Sequence, residues 1–209
     1  MPDSITRHFP HRFCRVPTRA LRPRLTSARR LMISALRLTV EGSERVDTRI
    51  VDRSEFRLAG HAARVRLVRQ GINPQMERHV TALPTEEHLR LKALGNTEPS
   101  GLLAVSDGLD PDYAEGSELT YLHGVAVSPG NPVPEDLDII EVPAGRWVVL
   151  RTTGPHPQIL QKAWAATASA WFPFNPWRLR PGPEIVAVLE PTKDFSAATC
   201  ELWLPVEPA

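Results

Sequence analysis

Two cysteines, Cys14 and Cys200, are too few for a disulfide framework in a chain of 209 residues, and they suit a reducing compartment. Long apolar runs are missing as well. No stretch approaches the roughly 20 residues that cross a bilayer, and the N-terminus lacks the apolar core of a secretory signal. The chain therefore reads as a cytoplasmic protein with no membrane partner. Its seven histidines are scattered, and the close pair His8 and His11 has no acidic or Cys residue at ligand spacing, so no metal and no other cofactor is expected. A Gly-rich phosphate loop ending in Lys-Ser or Lys-Thr is absent, and so is a Gly-x-Ser-x-Gly elbow. Both absences exclude the usual nucleotide-hydrolysing and serine-esterase machinery.

A large net charge is lacking too, since the total is only +1, but that balance hides a division. Residues 1–44 hold nine Arg against Asp3, Glu41 and Glu44, whereas residues 45–209 hold 16 basic and 21 acidic side chains. An acidic body argues against a nucleic-acid surface, because phosphate binding needs clustered Lys and Arg. In the basic segment Pro2, Pro10, Pro17 and Pro23 break helix formation and leave no room for a helix-turn-helix domain. Its composition is that of a disordered extension over residues 1–44, with a targeting peptide, or an upstream extension before a start at Met32, as the alternatives. Residues 45–209 then form the folded domain.

Within that domain the periodicity alternates between strand and helix. Arg49 to Val51 and Phe56 to Val68 read as strands with one wet face. Asn73-Pro74 is a helix start, with Asn at the cap, Pro in the first turn, and Met76, Val80 and Leu83 following at helical spacing. Pro84 ends that helix, a second runs from Thr85, and Gly95 closes it. Gly101 to Val105 and Glu118 to Ser128 are strands separated by a Gly- and Pro-marked loop. Leu137 to Val142 and Arg146 to Thr152 flank Pro143-Ala144-Gly145, which predicts a tight turn with Gly145 at an unusual backbone angle. Gly154-Pro155 opens a helix whose Leu160, Trp164, Thr167 and Trp171 make a wide core-facing stripe. Glu184 to Glu190 and Cys200 to Val206 complete the set. The order strand, helix, strand, strand thus occurs twice, over about residues 48–128 and 138–207, with Tyr121 to Val127 and Cys200 to Val206 in equivalent places. This is an α+β architecture: an antiparallel sheet, two helices on one side, and a small-molecule groove where the halves meet.

The last strand holds the chief candidate site. Alternation puts Glu201 and Trp203 on one face, where a partly dry carboxylate and an indole ring together would attract an organic cation. Tyr121 either lines the groove or fills the sheet core. Trp147 lies beside the tight turn, and Phe174 and Trp177 sit in a Pro-rich connection where large aromatics are expected to cover something.

Five stretches carry a resemblance to a family. They are Leu119 to Val127, Ile140 to Leu150, Gly154-Pro155 opening a helix that contains Gln161 and Trp164, Trp171-Phe172-Pro173, and Cys200 to Val206. In that order and spacing the chain resembles the GyrI-like, or AraC effector-binding, domain family over about residues 48–207. The resemblance implies the duplicated module and a ligand groove. It also implies one of several roles: effector-binding domain of a transcription regulator, stand-alone drug-binding protein, gyrase-inhibitor-like protein, or hydrolase of cyclopropane-bearing alkylators. Glu201 matches the family's acid on the last strand, which faces a lipophilic cation in drug-binding members, and Trp203 matches the aromatic two residues on. On the preceding strand only Glu184 is acidic and no aromatic follows it. The leading expectation is a stand-alone binding protein for an amphipathic cation, with no direct nucleic-acid binding by the domain. The runner-up is a hydrolase using Glu201 to activate water, and the third is a gyrase-inhibitor-like protein that binds a protein partner.

Overall fold

A computed structural model of the chain describes residues 47–194 and 196–209; the expectations for residues 1–44 lie outside them. Twelve elements follow one another: β1 (Asp47–Arg53), β2 (Phe56–Arg66), α1 (Pro74–Thr81), α2 (Thr85–Leu94), β3 (Leu102–Asp107), β4 (Glu118–Val127), β5 (Asp138–Val142), β6 (Gly145–Pro155), α3 (Gln158–Ala166), β7 (Trp177–Leu179), β8 (Glu184–Pro191) and β9 (Ala197–Pro208). The strands form one antiparallel sheet in the order β1-β6-β9-β8-β3-β4-β2-β5, with β7 paired to the end of β9. Its two repeats, β2-α1-α2-β3-β4 and β6-α3-β8-β9, meet where β3 pairs with β8. The order β2-β4-β3 on one side is mirrored by β8-β9-β6 on the other, each repeat placing its last strand in the middle.

Local chemistry explains most boundaries. The Asn73 side chain accepts from the amides of Gln75 and Met76, and Pro74 fills the first helical position, where its missing N–H costs nothing. Pro84 separates α1 from α2. Gly95 ends α2 as anticipated, but without a left-handed angle: its φ is −63°, and a Cβ there would lie 3.2 Å from the Val125 Cβ. Gly154-Pro155 proves to be the end of β6, and α3 begins three residues later. Beyond Ala166 the helix continues as a wider π turn over Thr167–Trp171 and a 3-10 turn over Phe172–Phe174. The Thr167 and Ser169 hydroxyls donate to carbonyls four residues back, which loosens the ladder. Gly145 does begin β6 after the turn, yet its φ is not positive; a Cβ there would lie 2.6 Å from Arg180 Nη2, so the guanidinium would have to move aside.

Alternation along β3 sorts the two faces of the sheet. Leu102 packs against the cluster that holds Leu91 of α2, and Ala104 packs against two clusters, one covered by Met76 and Val80 of α1 and the other by Leu160 and Trp164 of α3. All three helices therefore lie on one face. On the other face Phe56, Leu103, Val105, Leu122, Trp147, Ile185 and Trp203 are buried without any helix to cover them. They bury one another because the sheet curls. Phe56 on β2 reaches Trp147 on β6 with ring centroids 6.0 Å apart, although four strands separate β2 from β6 in the sheet. At the crease Gly60 pairs with Gly124, and a Cβ on Gly124 would lie 2.7 Å from Leu122 Cδ2 and 2.8 Å from the Ala59 carbonyl carbon. Among the described residues no helix is long and apolar enough to cross a membrane.

Candidate ligand groove

The groove follows from the exposure of the central strand. On the helix-free face Leu103 and Val105 are fully buried, while Leu102, Ala104 and Ser106, which point toward the helices, are only half-buried. The small residues Ala104 and Ser106 lie on the helix side where the two repeats meet, Ala104 packing against both the α1-side and the α3-side clusters. Ser106 pairs with Tyr121 on one side and with Glu184 on the other. Tyr121 and Glu184 thus stand in one row on the helix side, about 10 Å apart across two strand spacings.

Each wall has its own chemistry. Tyr121 packs with Met76 and Val80 of α1 and meets His79 edge-on at 5.9 Å, and burial pushes its phenol up to about 12. Glu184 is only 7 % exposed. The Tyr113 hydroxyl donates to its Oε1 at 2.5 Å and Trp164 Nε1–H donates to its Oε2 at 2.9 Å. Burial raises its carboxyl pKa, and those two hydrogen bonds offset part of the rise. Among the described residues no Arg or Lys pairs with Glu184, so its charge is held by neutral donors alone. The Gln161 amide on α3 donates to the Gly71 carbonyl at 3.1 Å and ties the two repeats together above the floor.

Beside Tyr121 the first repeat gathers four histidines. His79 Nε2 donates to the His61 carbonyl at 2.9 Å, His61 Nε2 meets Glu87 Oε1 at 2.8 Å, and His88 Nδ1 faces His123 Nε2 at 3.0 Å. Among the described residues no group of three His, Cys, Asp or Glu is arranged to hold a metal. Burial first, then the neighbouring charges of His88, His79 and His61, hold His123 near 4, below its ordinary 6.5. In the unfolded chain His123 takes up its proton near 6.5, whereas the folded protein refuses it until about 4. Stability should therefore fall as pH is lowered through that window, because the unfolded state binds the extra proton. Denaturation midpoints measured from about pH 7 to about pH 4.5 should show the fall, and His123→Gln should flatten it; parallel curves would assign the acid sensitivity to another group.

The candidate residues from the sequence divide between the two faces. Tyr121 and Glu184 stand on the helix side, in the row through Ser106. Glu201 and Trp203 do share a face, but it is the helix-free one, and the cation in front of them is the protein's own. Arg49 donates to both oxygens of Glu201 at 2.8 and 3.1 Å, and its guanidinium lies 5.6 Å from the Trp203 ring centre. Trp203 Nε1–H donates to Glu201 Oε2 at 3.0 Å, and Arg151 stands 3.9 Å from Oε1. Trp147 is fully buried against Phe56 and Trp203. Trp177 lies in β7, with the Arg146 guanidinium 5.0 Å from its ring centre. Phe174 covers nothing among the described residues and is 81 % exposed. Two groove residues escaped the sequence reading. Tyr113 lies in the loop after β3, and the spacing of Trp164 fits the core-facing stripe, into which it does pack. The signal available for Trp164 was its indole N–H, which needs an acceptor once buried.

Two mirrored repeats share one sheet, with helices on one face and a buried acid where they meet. The family model for the GyrI-like small molecule binding domain matches residues 47–207. The chain belongs to the GyrI-like family of small-molecule-binding domains. Among solved structures it is similar to SAV2435 bound to tetraphenylphosphonium, at 15 % identity and a TM-score of 0.60, over 77 % of this chain and 94 % of that one. It is also similar to a putative bacterial transcription regulation protein from Staphylococcus aureus, at 15 % identity and a TM-score of 0.54, over 79 % and 99 % of the two chains. A third likeness is to EcmrR in a DNA complex, at 16 % identity and a TM-score of 0.54, over 78 % of this chain and 58 % of that one. At such identities the likeness is one of fold. No protein of curated function matches the sequence.

Proposed function

We propose that the groove between α1 and α3 binds an organic cation with an apolar aromatic body, and that Glu184 is its counter-ion. The observation that carries this reading is a carboxylate buried at the groove wall with no Arg or Lys partner among the described residues. A buried charge held only by neutral donors is electrostatically unbalanced, and a ligand cation supplies the missing charge where water screens it little. Ala104 and Ser106 leave room for a flat body, and Tyr121 and Trp164 give it aromatic edges. The tetraphenylphosphonium bound to SAV2435 shows that this fold holds a lipophilic cation in another protein.

Glu201 suits a structural role better than a hydrolytic one. A carboxylate neutralised by a bidentate guanidinium is a poor general base. Calorimetric titration with a panel of aromatic cations tests the binding reading. Glu184→Gln preserves shape and removes charge, and the tightest ligand should lose at least about tenfold in affinity. Unchanged affinity would remove Glu184 from the site.

A further inference from the structure

Each oxygen of Glu184 already has a donor in the free protein, Tyr113 on Oε1 and Trp164 on Oε2. Each oxygen keeps a second lone-pair site, but a cation with an apolar body reaches this nearly closed carboxylate most directly where one of the donors moves aside. The two are not equally movable. Trp164 lies within α3 and packs into the cluster of Val148, Val186 and Leu202. Tyr113 sits in the loop between β3 and β4, at φ +51°, the one non-glycine residue with a positive φ among the described residues. That backbone angle is strained for an aromatic residue. Gly108 and Gly116 bracket the loop at φ +66° and +77°, and nothing lies within 4 Å of where their side chains would be. Inside the loop the Asp110 carboxylate accepts from the amides of Asp112 and Ala114, so the tip holds its own shape. Its ties to the body gather at its C-terminal end, where Arg69 N–H donates to Glu115 Oε2, Gly116 N–H to the Leu67 carbonyl and Leu67 N–H to the Ser117 carbonyl, and the Leu109 side chain packs against the Tyr121 cluster.

We propose that the Tyr113 hydroxyl is a displaceable stand-in for a ligand N–H, so that the groove selects protonated amines over quaternary cations. The inference rests on Glu184 being the counter-ion. When Tyr113 leaves, Oε1 loses its donor at a position almost closed to water. A quaternary ammonium or phosphonium returns charge but no hydrogen, and Oε1 stays unsatisfied. A protonated tertiary amine returns both, replacing a neutral hydrogen bond with a charge-assisted one. Trp164 keeps its bond to Oε2 in either case and fixes the carboxylate plane.

The probes are dimethyl(naphthylmethyl)amine, protonated at neutral pH, and its trimethylammonium counterpart, which differ by one methyl group. The wild-type protein should bind the protonated amine about tenfold tighter or more, the size of one charge-assisted hydrogen bond in a buried setting. Tyr113→Phe removes the competitor and not the acid, so both affinities should rise by about threefold or more while their ratio holds. Glu184→Gln should weaken both and bring the ratio toward one. Two results overturn the proposal alone: Glu184→Gln weakens binding but the wild-type ratio is near one, or Tyr113→Phe weakens both ligands. If Glu184→Gln leaves both affinities unchanged, or the wild type binds neither amine, the counter-ion reading falls and the proposal falls with it. The wild-type ratio needs no variant, so a folding defect in Tyr113→Phe would not remove the test.

Discussion

Gly124→Ala is expected to cost the fold about 3 kcal/mol or more, at or beyond the upper end of ordinary overpacking. The reason is geometric. Gly124 faces Gly60 in the register of β2 and β4, and both point into the inside of the curl. A Cβ on Gly124 runs into the backbone of Ala59, and one on Gly60 lies 2.8 Å from the His123 carbonyl carbon. No rotamer change relieves a clash with backbone; the crease itself must open. Opening it would part Phe56 from Trp147 and expose the apolar face that no helix covers. Gly71→Ala is the control: nothing lies near its side-chain position, so only its φ of +85° resists and about 1 kcal/mol is the expected loss. Denaturant midpoints on the two variants measure the contrast, and an equal, small shift would mean that the crease is not a steric requirement.

Arg49→Ala should be the second large loss, about 2 kcal/mol, and it should leave ligand affinity within about twofold of wild type. Removing Arg49 strands Glu201, which is 6 % exposed, and takes the cation away from the Trp203 ring. A buried pair broken from one side costs roughly 3 to 5 kcal/mol. Here the figure is lowered because the Arg49 side chain is 42 % exposed and Arg151 stands 3.9 Å from the same carboxylate. Glu201→Gln should cost less, about 1 kcal/mol, because the amide oxygen still accepts one hydrogen bond. Stability and affinity measured on the same two proteins decide the matter. A tenfold affinity loss in Glu201→Gln with an unchanged midpoint would move the binding site to the helix-free face.

These two residues also show how far the sequence could be read. The period of two put Glu201 and Trp203 together without structural help, and it identified a cation as their natural partner. It could not say which face the helices cover, because that depends on which strands lie beside β9. Nor could it find Arg49, which is 152 residues away and reaches Glu201 only through β6. The repeats were legible because Asn73-Pro74, Pro84 and the helical stripes act over a few residues, and the family's motifs fixed their order. β7 was not legible, since three residues between prolines carry no period. Tyr113 was hidden for a related reason: loop residues have no face until the loop is placed, and its partner Glu184 lies 71 positions on.

The mirrored order of the strands has a consequence for how a ligand sits. A frame made of two like halves offers any guest two poses related by a half-turn, and on backbone shape alone they are nearly degenerate. Side chains break that degeneracy. One end of the row through Ser106 carries an acid, and the other carries a phenol backed by imidazoles. If Glu184 is the counter-ion proposed above, a guest with a single charged end is read in one direction, head toward Glu184. On that reading a guest charged at both ends sets its second cation beside His79, His88 and His123. Duplication supplied the cradle, and the loss of chemical symmetry gave it polarity.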